Sequence, residues 1–397
     1  MSDTEEKRLL LKSAHLKGFK SIEDLTVEFK PGLNILIGKN GSGKSNLLEF
    51  LNAAFSVNSD DEIAYSFAAL DYVSGTTSFT VSRERNRFKR QQPKLEIAED
   101  YVIKVKSNEF TVYDSANSGL SYPEMFQPLL EEITGSIFKP NSTQVFPYLK
   151  QQLQPVLLEF DIPAVINFVS TAGTLHMPKD SSLPWEWPKT PSFLDGSLWN
   201  LELGYQSSDF LLENGRDVVI RSFKLSEAIV FNLNLFTPIK DLRLNEGFSI
   251  YETDKGVIID NLRIDFLVND NWVPWSYLSD GTKRLFYIIT EVTHKKDGLI
   301  LIEEPELGVH PSQFHLLMQF LKQESENKQI VISTHSPKAL DILQHDELDH
   351  IMIARYDKEK GTQISRMDDQ KIDKAQNYMK ELFLSDFWLL SDLEEDD

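Results

Sequence analysis

Eight residues from Gly38 to Ser45 have the types and the spacing needed to hold a phosphate group. They follow the pattern G-x-x-x-x-G-K-S, with an apolar run before the glycines and apolar residues at helical spacing after them. Strand, glycine loop and helix in this order direct backbone N–H groups toward an anion at a helix N-terminus. We predict that Lys44 reaches the outer phosphates and that the Ser45 hydroxyl binds Mg²⁺. The predicted phosphate-binding residues are Gly38, Lys39, Asn40, Gly41, Ser42, Gly43, Lys44, Ser45 and Asn46.

A second group of candidate residues follows two apolar runs late in the chain. The run 299–302 ends in Glu303 and Glu304, and paired carboxylates at the end of a buried strand cost desolvation unless a cation meets them. We predict that Glu303 contacts Mg²⁺ through water and that Glu304 orients or activates an attacking water. His335 follows the run 330–332 and is predicted to donate to a terminal phosphate. The predicted catalytic residues are Lys44, Glu304 and His335.

The segment LSDGTKR, residues 278–284, precedes an amphipathic run of helical period. Ser279 and Gly281 are expected at the start of that helix, which is a second position suited to an anion. By itself the pattern is more typical of an ordinary capped helix.

Composition limits the classes of protein to which the chain can belong. Its 397 residues are 41% hydrophobic and 26% charged, as in soluble globular proteins of two or three domains. The absence of cysteine excludes disulfides, thiolate nucleophiles and cysteine zinc sites. Neither a signal-peptide pattern nor an apolar run of ~20 residues is present, so we expect a cytoplasmic protein with no membrane segment.

The net charge of −20 argues against nucleic-acid binding by bulk electrostatics. The stretch 83–94 is a basic exception, and its side chains are candidate contacts for a nucleic-acid backbone. A solvated loop that balances nearby acids is the alternative interpretation. The candidate nucleic-acid residues are Arg83, Arg85, Arg87, Lys89 and Arg90.

Alternating apolar patterns predict a β-rich region over 76–114 and hairpins over 247–273. Helical patterns with proline interruptions occur between residues 120 and 240. We therefore predict an N-terminal part (1–119), a mainly helical insertion (120–246) and a C-terminal part (247–397). After a last strand near 350–357, a turn at 360–361 is predicted to lead directly into a C-terminal helix.

The phosphate loop, LSDGTKR, LILIEEPE and ISTHSP, in this order, resemble the ATP-binding-cassette (ABC) ATPase heads. The opening HLKGFKSIEDLTVEFKPGLNILIGKNGSGKSNLLEFL is similar to their soluble RecF-like and SMC-like branch. The Glu-Glu-Pro-Glu form resembles the AAA-family heads of the overcoming-lysogenisation-defect type, several of which serve bacterial anti-phage systems. The resemblance covers about residues 8–55 and 265–356, and the chain has no room for the nuclease domain fused to those enzymes.

The resemblance implies an α/β fold with a mostly parallel core sheet, an antiparallel β subdomain and a largely helical insertion. It implies ATP and Mg²⁺ as ligands and slow, regulated hydrolysis. Ser279 and Gly281 match the signature loop, which in the family binds the γ-phosphate of ATP held by a second head. Glu304 matches the hydrolytic glutamate, His335 matches the switch histidine, and Glu303 stands where many relatives have aspartate. An ATP-dependent homo-oligomer, at least a dimer, is therefore expected.

Two biological roles remain open at this point. One is a sensor or regulatory subunit for a separate effector protein in anti-phage defence, favoured by the missing nuclease, the acidic charge and an apolar segment near 383–390. That segment is otherwise typical of a helix packed on its own domain. The other role is a RecF-like ATPase that binds double-stranded DNA in repair or maintenance, favoured by the basic stretch 83–94.

Overall fold

The computed structural model describes residues 8–54, 65–74, 77–85, 101–107, 110–114, 156–158, 173–178, 199–201, 208–254, 256–294 and 298–390. The chain forms two compact units, and each is described by itself. The first comprises residues 1–158, 296–305 and 321–397, and the second comprises 159–295 and 306–320. The predicted boundaries at 119 and 246 stay a prediction.

The strands are numbered along the chain. They are β1 (Leu9–Phe19), β2 (Ile22–Glu28), β3 (Leu33–Ile37), β4 (Phe67–Ser74), β5 (Thr77–Arg85), β6 (Tyr101–Ser107), β7 (Phe110–Asp114), β8 (Val156–Leu158), β9 (Gly173–Pro178), β10 (Trp199–Leu201), β11 (Phe223–Leu225), β12 (Ile239–Leu244), β13 (Ser249–Thr253), β14 (Gly256–Leu262), β15 (Ile264–Val268), β16 (Asn271–Pro274), β17 (Leu299–Glu303), β18 (Gln329–Thr334), β19 (Ile351–Asp357) and β20 (Gly361–Ser365). The helices are α1 (Lys44–Ala53), α2 (Ser208–Ser222), α3 (Glu227–Phe236), α4 (Asp280–His294), α5 (Pro311–Glu324), α6 (Asp369–Tyr378) and α7 (Leu384–Leu390).

A parallel core lies at the centre of the first unit. Strands β19, β3, β18, β17 and β8 run side by side in that order, each parallel to its neighbour. Every residue of β3 and of β18 is buried, which explains why both read as continuous apolar runs. Because parallel strands share one carboxyl edge, the segments that follow β3, β17 and β18 meet there.

Antiparallel strands extend this sheet on its other side, in the order β7-β6-β5-β4-β1-β2-β20-β19. The β-rich prediction for 76–114 is therefore confirmed for β5, β6 and β7. The sheet is also tied together by the buried Gln329, whose side-chain amide accepts from the Leu11 N–H and donates to the Leu11 carbonyl, both at 2.8 Å. The first strand is thereby fixed to the start of β18.

The C-terminal prediction needs one correction. The turn at 360–361 is present, but it closes the antiparallel pair β19–β20 rather than leading into a helix. Helices α6 and α7 follow only after β20. Residues 361–365 show no apolar alternation, so the sequence did not indicate this strand.

The second unit contains three small antiparallel sheets among its described residues, β12-β15-β16, β13-β14-β9 and β10-β11. The hairpins β13–β14 and β15–β16 confirm those predicted over 247–273. Helix α4 carries a buried apolar face, and Phe286 packs edge-on against Phe266 and Trp275 with ring centroids 5.4 and 5.3 Å away. The described part of 120–246 holds both strands and the helices α2 and α3.

Both units together give the predicted α/β class, with a mostly parallel core and antiparallel additions. Within the described ranges, no helix is both long and apolar enough to cross a bilayer.

Candidate nucleotide-binding site

Residues 38–43 form a tight loop between β3 and α1 in the first unit. Gly41 and Gly43 have left-handed backbones, with φ of 79° and 94°. A Cβ on Gly43 would lie 1.9 Å from Oγ1 of Thr362, and one on Gly38 would lie 2.3 Å from the carbonyl oxygen of Ala354. The loop therefore packs directly on β19 and β20, and only glycine fits at these two contacts.

The start of α1 is left open on the loop side. Its first turn has no acidic residue, and Gly43 at the N-cap provides no side-chain hydrogen bond. The buried Ser42 Oγ has no hydrogen-bond partner among the described residues. An uncapped helix N-terminus and an orphaned hydroxyl fit a bound phosphate.

Lys44 is buried, with 6% of its surface exposed. Its ammonium donates to the carbonyl oxygens of Gly38 at 2.8 Å and Lys39 at 3.1 Å. These bonds compensate for the burial of the charge and hold the cation inside the curve of the loop. The positive charge is thus in place before any anion binds.

A small hydrogen-bond network supports the loop from behind. The Asn46 amide donates to Ser21 Oγ at 2.6 Å, and the hydroxyls of Ser21 and Thr362 are 2.6 Å apart. Lys20, in the same turn as Ser21, pairs with Glu49 on α1. The sequence analysis missed the supporting role of Ser21 and Thr362, because their contact joins residues far apart in the chain and no local pattern links them.

The acidic candidates lie at the carboxyl edge of β17. Glu303 is the last residue of that strand and lies opposite Ser333 of β18. Glu304 has φ of 41°, and its N–H donates to the carbonyl of Ser333 at 2.9 Å. His335 Nδ1 is 3.5 Å from Glu304 Oε1. The structure thus brings Glu304 and His335 together at partly exposed positions.

The left-handed backbone of Glu304 is unusual for a residue with a Cβ. Such conformations cost of order 1–3 kcal/mol and persist where the surroundings hold them. Here the holding contact is the bond to Ser333, near the end of a fully buried strand. The left-handed backbone at Glu304 directly follows the end of β17 at Glu303.

The loop and the acidic edge belong to the same side of the sheet. Strand β3 pairs with β18 so that Ile37 lies opposite Thr334. The residues that follow, Gly38 and His335, therefore leave neighbouring strands at the same level. This is the arrangement that lets one ligand contact both segments.

The donor set fits Mg²⁺ only together with phosphate oxygens. In the described part of the chain, no group of three or more histidine, aspartate or glutamate side chains could hold a metal ion. Mg²⁺ is commonly bound by one or two protein oxygens with phosphates and waters completing the shell. Ser45 and Glu303 supply oxygens of that kind.

A cavity of about 530 Å³ opens beside the loop. It is lined by residues 39–42 and by the pair β19–β20, including Arg355, Tyr356 and Lys360. Its size is that of small-molecule sites in general. The loop is therefore accessible to a ligand from this side.

The signature candidates lie in the second unit. Ser279 Oγ accepts from the Thr282 N–H at 3.2 Å and caps α4, and the two hydroxyls are 2.9 Å apart. A Cβ on Gly281 would lie 2.4 Å from the carbonyl oxygen of Gly308. The predicted helix start is confirmed, and Ser279 is exposed at its tip.

The candidate nucleic-acid residues differ in how far their side chains are buried. Arg83 is half-buried, with its guanidinium 5.7 Å from the Tyr65 ring centroid and 3.4 Å from the Ala54 carbonyl. Arg85 is exposed. Arg87, Lys89 and Arg90 lie outside the described residues. Nucleic-acid binding by this stretch stays a prediction.

Two family models match the chain. One is described as "AAA domain, putative AbiEii toxin, Type IV TA system" and matches residues 180–341, and the other is described as "AAA domain" and matches residues 13–143. A solved SMC head domain from Thermotoga maritima superposes with a TM-score of 0.46 at 13% identity, covering 90% of this chain and 99% of that one.

Two relatives differ in how much of the chain they match. The DNA replication and repair protein RecF of Limosilactobacillus reuteri is 34% identical over 80 residues, 19% of this chain and 21% of RecF. The Septu protein PtuA of Bacillus thuringiensis is 22% identical over 365 residues, 86% of this chain and 75% of PtuA. The match to RecF thus spans about a fifth of that relative's length.

The phosphate loop, the acidic strand end and the family models agree on one class of protein. Residues 13–143 and 180–341 match the sequences of AAA domains, and part of the chain is similar to the RecF-like branch of these ATPases.

Proposed function

We propose that residues 38–46 bind the triphosphate of ATP and that Glu304 is the base for its hydrolysis. The carrying observation is the geometry at Glu304, whose backbone is held by Ser333 and whose carboxylate lies 3.5 Å from His335. In this proposal Glu304 accepts a proton from the attacking water as the water adds to the γ-phosphorus, the bond from that phosphorus to the β,γ-bridging oxygen breaks, and ADP leaves. His335 orients that carboxylate and contacts the γ-phosphate, while Lys44 stabilises charge on the outer phosphate oxygens.

Ser45 and Glu303 would hold Mg²⁺ beside the phosphates. When bound, the ion would neutralise charge on the β- and γ-phosphate oxygens. Glu303 has one methylene more than aspartate, so its contact is expected to pass through water. Replacing Glu303 with aspartate should therefore preserve turnover, whereas Glu303→Ala should raise the Mg²⁺ concentration needed for half-maximal turnover.

The ATPase is proposed to work as a dimer of heads. Ser279 and Gly281 of one copy would contact the γ-phosphate held by the other, and the exposure of Ser279 supports this role. ATP would then favour the associated state and hydrolysis would favour separation. Sedimentation velocity with ATP and Mg²⁺ tests this switch. Glu304→Gln should prolong association and Lys44→Ala should abolish it, and an absence of any ATP effect on both variants would refute the dimer.

The biological role proposed is a sensor or regulatory subunit for a separate effector protein in anti-phage defence. The supporting observation is the similarity to the Septu protein PtuA along 86% of the chain. The test is phage plating on native-host cells that carry the intact locus. Protection should be lost with Lys44→Ala and retained with Lys39→Ala, and equal protection by both variants would reject the role.

A second candidate is a DNA-binding ATPase, supported by the RecF similarity and by the exposed Arg85. It predicts that double-stranded DNA stimulates ATP turnover. The stimulation should disappear when Arg85, Arg87 and Arg90 are replaced by glutamine, while basal turnover persists. An unstimulated wild-type enzyme that still protects cells from phage would leave only the sensor role.

A further inference from the structure

The last described helix, α7, has an apolar outer surface. Its inner residues Leu384 and Trp388 are buried against the first unit. Isolated exposed apolar residues are ordinary, but a cluster within one short segment is typical of an interaction site. The cluster, called the α7 surface below, comprises Leu382 (51% exposed), Phe383 (64%), Leu389 (69%) and Leu390 (77%).

The inner side of α7 is fastened to one turn of the chain. The Ser385 N–H donates to Asp341 Oδ1 at 2.8 Å, and the Ser385 hydroxyl donates to Asp341 Oδ2 at 2.9 Å. Lys338 donates to Ser385 Oγ at 2.8 Å and also pairs with Asp341. Ser385 is fully buried, so these hydrogen bonds lie inside the protein and hold α7 in its position.

That turn is continuous with the switch histidine. It is a 3₁₀ helix, Pro337–Ile342, which begins two residues after His335. The Ser336 N–H donates to Thr334 Oγ1 at 3.0 Å, and Ala339 and Leu340 are fully buried. A short packed segment therefore connects His335 with Asp341 and α7.

Charge indicates what kind of molecule covers the α7 surface. Five of the six residues 392–397, next in sequence, are acidic, and the whole chain carries −20. A second copy would bring the same strongly negative net charge to the contact. A partner with an apolar patch bordered by lysine and arginine is complementary in both respects.

We propose that the α7 surface binds a partner protein through an apolar patch bordered by basic residues, and that the contact of His335 with nucleotide changes its affinity. The binding surface is argued from α7 alone. The nucleotide control rests on the proposed function of His335.

The test uses two synthetic amphipathic helices as probes, one with leucine and lysine faces and one with leucine and glutamate faces. Binding to the full chain is measured by fluorescence anisotropy at physiological ionic strength. We expect the leucine–lysine helix to bind about tenfold more tightly than its glutamate counterpart. The double variant Leu389→Asp, Leu390→Asp should weaken that binding about tenfold.

The two negative charges that this double variant adds distinguish apolar binding from non-specific charge attraction. Two added carboxylates strengthen any non-specific attraction for a cationic helix, whereas they weaken apolar docking at α7. The matched control is Phe231→Asp, Leu235→Asp on α3, which changes two exposed apolar residues to the same charge. It should not weaken binding. Equal effects of the two pairs, or no loss with the α7 pair, would overturn the proposal.

Two further measurements test other occupants. If the wild type self-associates without nucleotide and the α7 pair abolishes this, the surface binds a second copy. If neutral phosphatidylcholine vesicles sediment the wild type but not the α7 pair, it binds lipid. Either result overturns a protein partner as the occupant. ATP turnover of the α7 pair should equal that of the wild type, because these residues lie outside the nucleotide site.

Nucleotide control is measured with the same leucine–lysine helix. Its affinity for Glu304→Gln with ATP and Mg²⁺ should differ about threefold or more from its affinity for Lys44→Ala under the same conditions. Equal affinities, in a protein whose wild type hydrolyses ATP, would overturn the control by His335. If the wild type itself does not hydrolyse ATP, the proposed function is refuted instead.

Discussion

The N-terminus of helix α1 has no side-chain cap, whereas the N-terminus of helix α4 is capped by a serine side chain. Gly43 precedes α1, and neither a side-chain cap nor a first-turn acid is present there. Ser279 caps α4 through the Thr282 N–H, and Asp280 adds a negative charge to the first turn. The positive end of the helix dipole is thus left for a ligand at α1 in the first unit. At α4 in the second unit, it is met by the protein's own side chains. The N-terminus of α1 is therefore suited to bind phosphate directly. The N-terminus of α4 is suited to a contact in which another molecule displaces the Ser279 cap.

The largest expected effect is at the open start. Lys44→Ala removes the cation already held inside the loop, so ATP turnover should fall about a hundredfold or more. Lys39→Ala is the control, because Lys39 belongs to the same loop but contributes its carbonyl to the arrangement around Lys44. A steady-state phosphate-release assay compares the two. Equal losses would mean that charge near the loop, rather than the position of Lys44, matters.

The second-largest effect is expected from substitutions at two glycines of that loop, Gly41 and Gly43. Gly43→Ala places a Cβ 1.9 Å from Thr362 Oγ1 and should lower the free energy of unfolding by about 2–4 kcal/mol while abolishing ATP binding. Gly41→Ala meets nothing within 4 Å and should cost only the left-handed backbone, about 1–2 kcal/mol. Urea unfolding and nucleotide titration measure both quantities. The argument for close packing on β20 fails if the two variants are equally stable.

Ser279→Ala tests the capped start. Loss of the cap should lower the stability of the second unit by about 1 kcal/mol. If Ser279 serves a second head, turnover should also fall at protein concentrations that favour the dimer, whereas ATP affinity of dilute protein should stay unchanged. Ser276→Ala, at an exposed position just before the cap, is the control. A lower ATP affinity in dilute Ser279→Ala would place the serine's role within a single head.

The smallest effect concerns the acid at the capped start. Asp280→Asn removes a charge that favours the helix dipole and pairs with Lys283 at 3.3 Å on the surface. The expected cost is about 0.3–0.5 kcal/mol, decreasing with added salt. Thermal unfolding at low and high salt checks this. A salt-independent loss would show that the charge is not what stabilises the first turn.

Sequence patterns located the chemistry because the glycine spacing and the buried strands are local features. The loop before α1, the apolar strands β17 and β18, and the start of α4 all follow from residue order. The left-handed backbone of Glu304 does not, because it depends on a hydrogen bond to Ser333 from a neighbouring strand. The need for glycine at 43 comes likewise from Thr362, more than three hundred residues later.

The strand β20 was missed for a related reason. Its residues Gly361 to Ser365 carry no apolar alternation, and the strand is specified by pairing with β19 and by the loop that lies on it. Self-capping by Ser279 was also open in the sequence, because a serine before a helix is compatible with both a cap and a ligand contact. Such choices are made by tertiary contacts.

The pairing of Leu33 with Ile330 has a consequence for how the protein is made. The phosphate loop is translated early, but the strands that flank β3 emerge only when most of the chain has left the ribosome. At an elongation rate of about 5–20 residues per second, that interval is roughly 15–60 s. During it, β3 is an apolar strand without neighbours, and the loop has no hairpin on which to rest. The phosphate loop therefore gains its full set of neighbouring strands only late in synthesis.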